Sequence, residues 1–213
     1  MITKAVGPDE SIDLGEGADP VLASYYRLMR LKRLYRQGWL KRGLPAELCE
    51  SVAEHTFGTA ILALLVLGPD NRDGADGSRA ALMALVHELG ESYAGDITPV
   101  DGVSKAEKRE LERASILRAL DGHPDAAWFL GLWEEFEEGA SPEARFVREL
   151  DRLEMGLQAA LQAAEGHAGM EEFFASARRS VKGERLRGLL EEAIGASGKA
   201  AGASGSPSRS RGN

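Results

Sequence analysis

The sequence predicts an all-α protein organised as a single helical domain, and three observations carry that prediction. Long apolar runs such as VAEHTFGTAILALLVL, residues 52–67, exceed strand length. The patterns Ser51-Val-Ala-Glu54 and Ser104-Lys-Ala-Glu107 are capping boxes, in which side chains satisfy the free backbone N–H groups at a helix start. No segment of useful length alternates apolar and polar residues as a half-buried strand does.

The elements follow in chain order. Asp19 followed by Pro20 reads as an N-cap with proline at the first helical position, opening a helix from about Val21 to Arg36. Ser51 opens a second helix whose nearly all-apolar body must lie buried. NRDGADGS, residues 71–78, is a loop by composition, and RAALMALVHELGESY after it reads as another buried helix. Gly95, Pro99 and Gly102 make GDITPVDGV a loop, after which Ser104 starts the amphipathic helix KAEKRELERASILRAL. Further helices are predicted at about 124–138, at 142–166, and at 169–194 in two pieces. Residues 1–18 read as a flexible arm, 19–195 as the folded domain, and 196–213 as a disordered Gly/Ser-rich tail with nothing to bury.

Composition narrows the function classes. A chain of 213 residues is long enough for one substantial core, and a net charge of −8 disfavours nucleic-acid binding through bulk positive charge. No apolar run approaches the roughly 20 residues of a membrane span, and the polar N-terminus does not resemble a secretory signal, so a cytoplasmic protein without a membrane partner is expected. The single Cys49 excludes an internal disulfide.

Against this plain background ALVHELGESYAGD, residues 84–96, crowds His87, Glu88, Glu91 and Asp96 together directly after an apolar run. On one continuous helix His87 and Glu91 share a face, with Glu88 about 100° around the axis. Burying uncompensated carboxylates is costly, so the pattern asks for a cation or a chain of hydrogen bonds. Two partners present themselves. His55 sits in the first turn of a buried helix, and Asp151 lies beside the apolar stripe Phe146, Val147, Leu150, Leu153 and Leu157. Imidazole and carboxylate ligands with open positions suit a divalent ion, with Mn, Co, Ni, Fe, Zn and Mg all open. The segment 27–43 carries seven Lys or Arg and no acid, a local attraction for a dianionic phosphate.

The order His, His-acid and distant Asp on successive helices resembles the HD-domain metal-dependent phosphohydrolases, an all-α superfamily. ESVAEH (50–55), ALVHELGE (84–91), GDITPVDGVSKAEK (95–108) and SPEARFVRELDRLEM (141–155) are similar to the branch that dephosphorylates deoxyribonucleoside 5'-monophosphates. The resemblance implies an HD-domain helical bundle in which His55, His87, Glu88 and Asp151 hold the metal. It further implies that Glu91 activates or orients the attacking water, that Asp96 contacts the sugar or assists proton transfer, and that Trp39 helps hold the nucleotide. The phosphate-gripping residue is left open between Arg36 and Arg42. At position 88 this chain departs from the family, having Glu where the family has Asp, one methylene longer. Related nucleotidases pair as dimers, which implies a homodimer acting on a small-molecule nucleotide. Two alternatives remain: an HD hydrolase of other nucleotide specificity, and a catalytically weakened HD-fold binding protein.

Overall fold

In the computed structural model the described residues are 14, 17–68 and 74–204; most of the predicted N-terminal arm and residues 205–213 of the predicted tail lie outside them. The described residues contain ten α-helices and no strand, apart from one isolated antiparallel bridge between Tyr35 and Ser51. The chain divides into two compact units, Met1–Arg148 and Glu149–Asn213, with the boundary inside one long helix. No described helix is long and apolar enough to cross a membrane.

The first unit holds α1 (Pro20–Leu28), α2 (Gln37–Leu40), α3 (Val52–Leu67), α4 (Gly77–Val86), α5 (Glu91–Ala94), α6 (Lys105–Ala119), α7 (Ala126–Glu138) and the start of α8 (Pro142–Ala164). Asp19 caps α1 by accepting the Val21 N–H at 2.8 Å. The helix predicted to run to Arg36 stops at Leu28 and tightens into a 3₁₀ turn over Met29–Lys32. The next residues are taken by the bridge: Val52 donates to the Leu34 carbonyl at 2.8 Å and Arg36 to the Glu50 carbonyl at 3.1 Å. These bonds hold Arg36 in extended conformation.

The Ser51 capping box forms as predicted. Ser51 Oγ accepts the Glu54 N–H at 3.2 Å and Glu54 Oε2 accepts the Ser51 N–H at 2.6 Å. Ser104 makes only its half, accepting the Glu107 N–H, while a box the sequence reading missed joins Thr98 and Asp101. The single helix predicted over 79–93 is two helices. After Val86 the backbone closes with i→i+3 bonds, Leu89 to Val86, Glu91 to Glu88 and Ser92 to Leu89, which is the tighter 3₁₀ geometry. Gly90 lies in this turn, where an added Cβ would stand 2.6 Å from Glu112 Cβ on α6.

The second unit contains the rest of α8, α9 (Glu171–Ser180) and α10 (Glu184–Ser204). Glu149 Oε2 accepts the backbone N–H groups of Lys182 and Gly183 at 2.7 and 2.8 Å, pinning the turn into α10. Gly156 admits Leu190 and Ala177, which would stand 2.6 and 2.9 Å from a Cβ there. The tail predicted to be disordered from 196 instead continues α10 to Ser204. Its alanines have high helix propensity, enough to extend an element already nucleated.

Candidate metal centre

Three side chains from α3 and the end of α4 converge in the first unit. The Ser51 box fixes the start of α3, so His55, one turn later, is fully buried. His87 is the C-cap of α4, 3% exposed, and its Nδ1 lies 2.6 Å from the Ala84 carbonyl. A carbonyl only accepts, so Nδ1 carries the proton and Nε2 presents its lone pair, the tautomer a metal ligand needs. Glu88 Oε1 stands 3.5 Å from His87 Nε2 and 3.7 Å from His55 Nε2.

Two imidazole nitrogens and a carboxylate oxygen at these separations are spaced as ligands of one ion. Ligand bonds of about 2 Å to a common ion place neighbouring donors roughly 3–3.5 Å apart, close to the spacing seen. His55, His87 and Glu88 therefore fit a divalent ion, with the mixed nitrogen and oxygen donors suited to Mn, Fe, Co, Ni or Zn. The additional methylene of Glu88 is accommodated, since its carboxylate still reaches between the two imidazoles.

Around the cluster the segment 36–42 and the loop after α5 interlock. Arg36 Nη1 donates to Glu88 Oε1 at 3.1 Å, with both side chains 13% exposed. Asp96 Oδ2 accepts the Gln37 N–H at 2.6 Å. Lys41 Nζ donates to Thr98 Oγ1 at 2.8 Å and to both oxygens of Asp101 at 2.6 Å. Trp39 is 3% exposed and donates its indole N–H to Glu50 Oε1 at 3.0 Å, so it is packed and anchored within the fold. Arg42 is exposed and donates to the Gly38 carbonyl. Of the two arginines left open by the sequence, Arg36 is the one beside the cluster.

Glu91 is 1% exposed. Burial, then the negative charges of Glu88 and Asp96, push its carboxyl well above the usual range, while Arg36 and Lys108 oppose the shift. Lys108 Nζ lies 3.9 Å from Glu91 Oε1 and 3.3 Å from Glu112 Oε1. Glu112 is buried as well, and desolvation raises its carboxyl to about 7 despite Lys108. In the sequence both belong to the amphipathic helix KAEKRELERASILRAL, where Glu112 does not stand out. The i,i+4 spacing of the two was a signal, but only the close approach of α6 at Gly90 shows that the pair is turned inward.

Asp151 belongs to the second unit, on α8, and is 8% exposed. Its Oδ2 lies 3.4 Å from Nε of the exposed Arg152. A buried carboxylate with a largely exposed neighbour is not the surface acid that its position on a charged helix would otherwise suggest.

Comparison with known proteins gives a consistent picture. The family model described as HD domain matches residues 28–193. The chain is 37% identical over 166 residues to the 5'-deoxynucleotidase HDDC2 of Danio rerio, covering 76% of this chain and 80% of that protein. It is 36% identical over 147 residues to the 5'-deoxynucleotidase HDDC2 of Homo sapiens, covering 68% and 69%. Among solved structures, a protein from Pyrococcus horikoshii OT3 is similar with a TM-score of 0.66 and 31% identity, covering 84% of this chain and 99% of that one.

Proposed function

The chain belongs to the HD-domain family, and on that premise we propose that it is a metal-dependent 5'-deoxynucleotidase, hydrolysing deoxyribonucleoside 5'-monophosphates to deoxynucleoside and phosphate. The observation that carries this reading is the grouping of His55, His87 and Glu88 with Arg36 on the same carboxylate oxygen. We propose Asp151 as the fourth ligand, supported by its burial and its place in the SPEARFVRELDRLEM block.

When bound, the divalent ion supplies two kinds of chemistry, polarising a phosphoryl oxygen and lowering the pKa of water. The protein's own groups do the rest. Arg36 offers a planar fork of donors to the phosphate oxygens, where charge spreads in the transition state. Glu91, buried in the turn that follows Glu88, accepts the proton of the attacking water. Asp96 contacts the sugar while tying the Arg36–Leu40 segment in place through the Gln37 N–H. Trp39, anchored to Glu50, holds the wall of the nucleotide site by shape rather than by stacking.

We further propose a cytoplasmic homodimer with no nucleic-acid partner. Net charge −8 supports the last point. Supporting self-association, α3 exposes Phe57, Ile61, Leu64 and Leu65 within a stripe about 100° wide, and the neighbouring α4 exposes Leu82 and Leu85.

The test is phosphate release from a panel of deoxy- and ribonucleoside 5'-monophosphates, diesters and triphosphates with Mn, Co, Ni or Mg. Release from deoxynucleoside monophosphates bears out the reading. Release only from diesters or triphosphates assigns another specificity. No release with any metal, despite a bound ion, makes the chain a weakened binding protein.

A further inference from the structure

Glu91 presents two unlike oxygens. Oε1 faces the Lys108 ammonium at 3.9 Å, whereas Oε2 is buried and accepts no hydrogen bond among the described residues. Lys108 does not hang loosely in solvent. Its side chain is 35% exposed, and Glu112, one turn along α6, holds the ammonium at 3.3 Å. The missing side chain at Gly90 lets this stretch of α6 come against the turn that carries Glu91. The distance from Lys108 to Glu91 is longer than a hydrogen bond, so the attraction is electrostatic. Out of bulk water such an attraction is several times stronger than at the surface.

We propose that Lys108 is a positioning residue for the reaction, holding Glu91 by Oε1 so that Oε2 is the atom left to take the proton from the attacking water. The role rests on the nucleotidase reading above. In the step itself one water O–H bond breaks and its proton goes to Glu91 Oε2; the water oxygen bonds to phosphorus as the ester P–O bond breaks, its electron pair leaving on the 5' oxygen, which takes up a proton from solvent to become the deoxynucleoside hydroxyl while Glu91 returns its proton to solvent. Lys108 touches neither water nor phosphate; it acts through the orientation of Glu91. Glu112 serves by keeping Lys108 aimed inward.

The experiment compares the full-length wild-type chain with Lys108→Met, of similar length but uncharged, and Lys108→Arg. Steady-state kinetics on a deoxynucleoside 5'-monophosphate are paired with Mn titration calorimetry and thermal melting. For Lys108→Met kcat should fall about 10- to 100-fold, less than the roughly 10²- to 10⁴-fold that a positioned base supplies in full. KM and Mn affinity should stay within about threefold, and Lys108→Arg should recover most of kcat, because charge and not shape is what Glu91 requires. A kcat within about twofold of wild type in Lys108→Met overturns the proposal. So does a rise in KM with kcat unchanged, which would make Lys108 a phosphate contact. If Lys108→Met does not fold, Glu112→Gln removes the anchor and should lower kcat at constant KM; unchanged kcat there overturns the role equally. An inactive wild type refutes the nucleotidase reading, and this role with it, whereas an active wild type with indifferent variants refutes this role alone.

Discussion

Arg36 Nη1 donates at 3.1 Å to Glu88 Oε1, the same oxygen that stands 3.5 Å from His87 Nε2. The arginine proposed to grip the phosphate is thus tethered to a proposed ligand of the ion. Arg36→Gln should lower kcat/KM by about 10- to 100-fold, as loss of a charge-assisted contact of roughly 1.5–3 kcal/mol implies. Arg36→Lys should recover only part, since an ammonium lacks the bidentate fork. Kinetics of phosphate release check both variants, and an Arg36→Gln enzyme of wild-type efficiency would remove Arg36 from the phosphate site.

Gly90 is a point of contact between backbones, because a Cβ there would meet Glu112 Cβ at 2.6 Å. Gly90→Ala should therefore push α6 away at a cost of about 1–3 kcal/mol. A denaturant melt should show a lower midpoint with the slope unchanged. Activity should fall along with stability, since Lys108 and Glu112 ride on the displaced helix.

Asp101 is held well into its carboxylate form, with the hydrogen bond from Lys41 first and the Thr98 N–H and hydroxyl behind it; its pKa is lowered from 3.8 to about 2. A depressed carboxyl stabilises the fold above its unfolded pKa, and the contribution is lost as pH falls from 3.8 through about 2. Carboxyl NMR titration should place Asp101 near 2 in the wild type and measurably higher in Lys41→Met. Equal values would show that Lys41 does not clasp the loop.

Asp151→Asn keeps the size of the side chain and removes its charge. As the proposed fourth ligand it should weaken Mn binding by at least the roughly 10- to 100-fold that loss of an outer-shell partner costs. Wild-type affinity in this variant, read by equilibrium dialysis, would place Asp151 outside the metal site.

The helical class, the start of α3 and the choice of His55, His87 and Glu88 were legible in the sequence. All depend on local rules, namely the Ser51–Glu54 box and the rarity of histidines and acids inside apolar runs. What escaped was decided by contacts between distant segments. The break after Leu28 follows from pairing of Leu34 and Arg36 with Val52 and Glu50, which no window around residue 30 contains. The turn between Val86 and Glu91 leaves the residue pattern helical, so the break between α4 and α5 was hidden. The inward turn of Lys108 and Glu112 depends on the close approach of α6 at Gly90, a contact from a distant segment. At residues 197–204 small residues extend α10, and Ser197 is buried there.

The central claim is that Glu88, standing between His55 and His87, is a ligand of a divalent ion. Isothermal titration of Mn into the wild-type chain and into the near-isosteric Glu88→Gln variant tests it most directly. One ion per wild-type chain, with affinity in the variant reduced at least about 100-fold, is the expected result. Equal stoichiometry and affinity in the two proteins would contradict it.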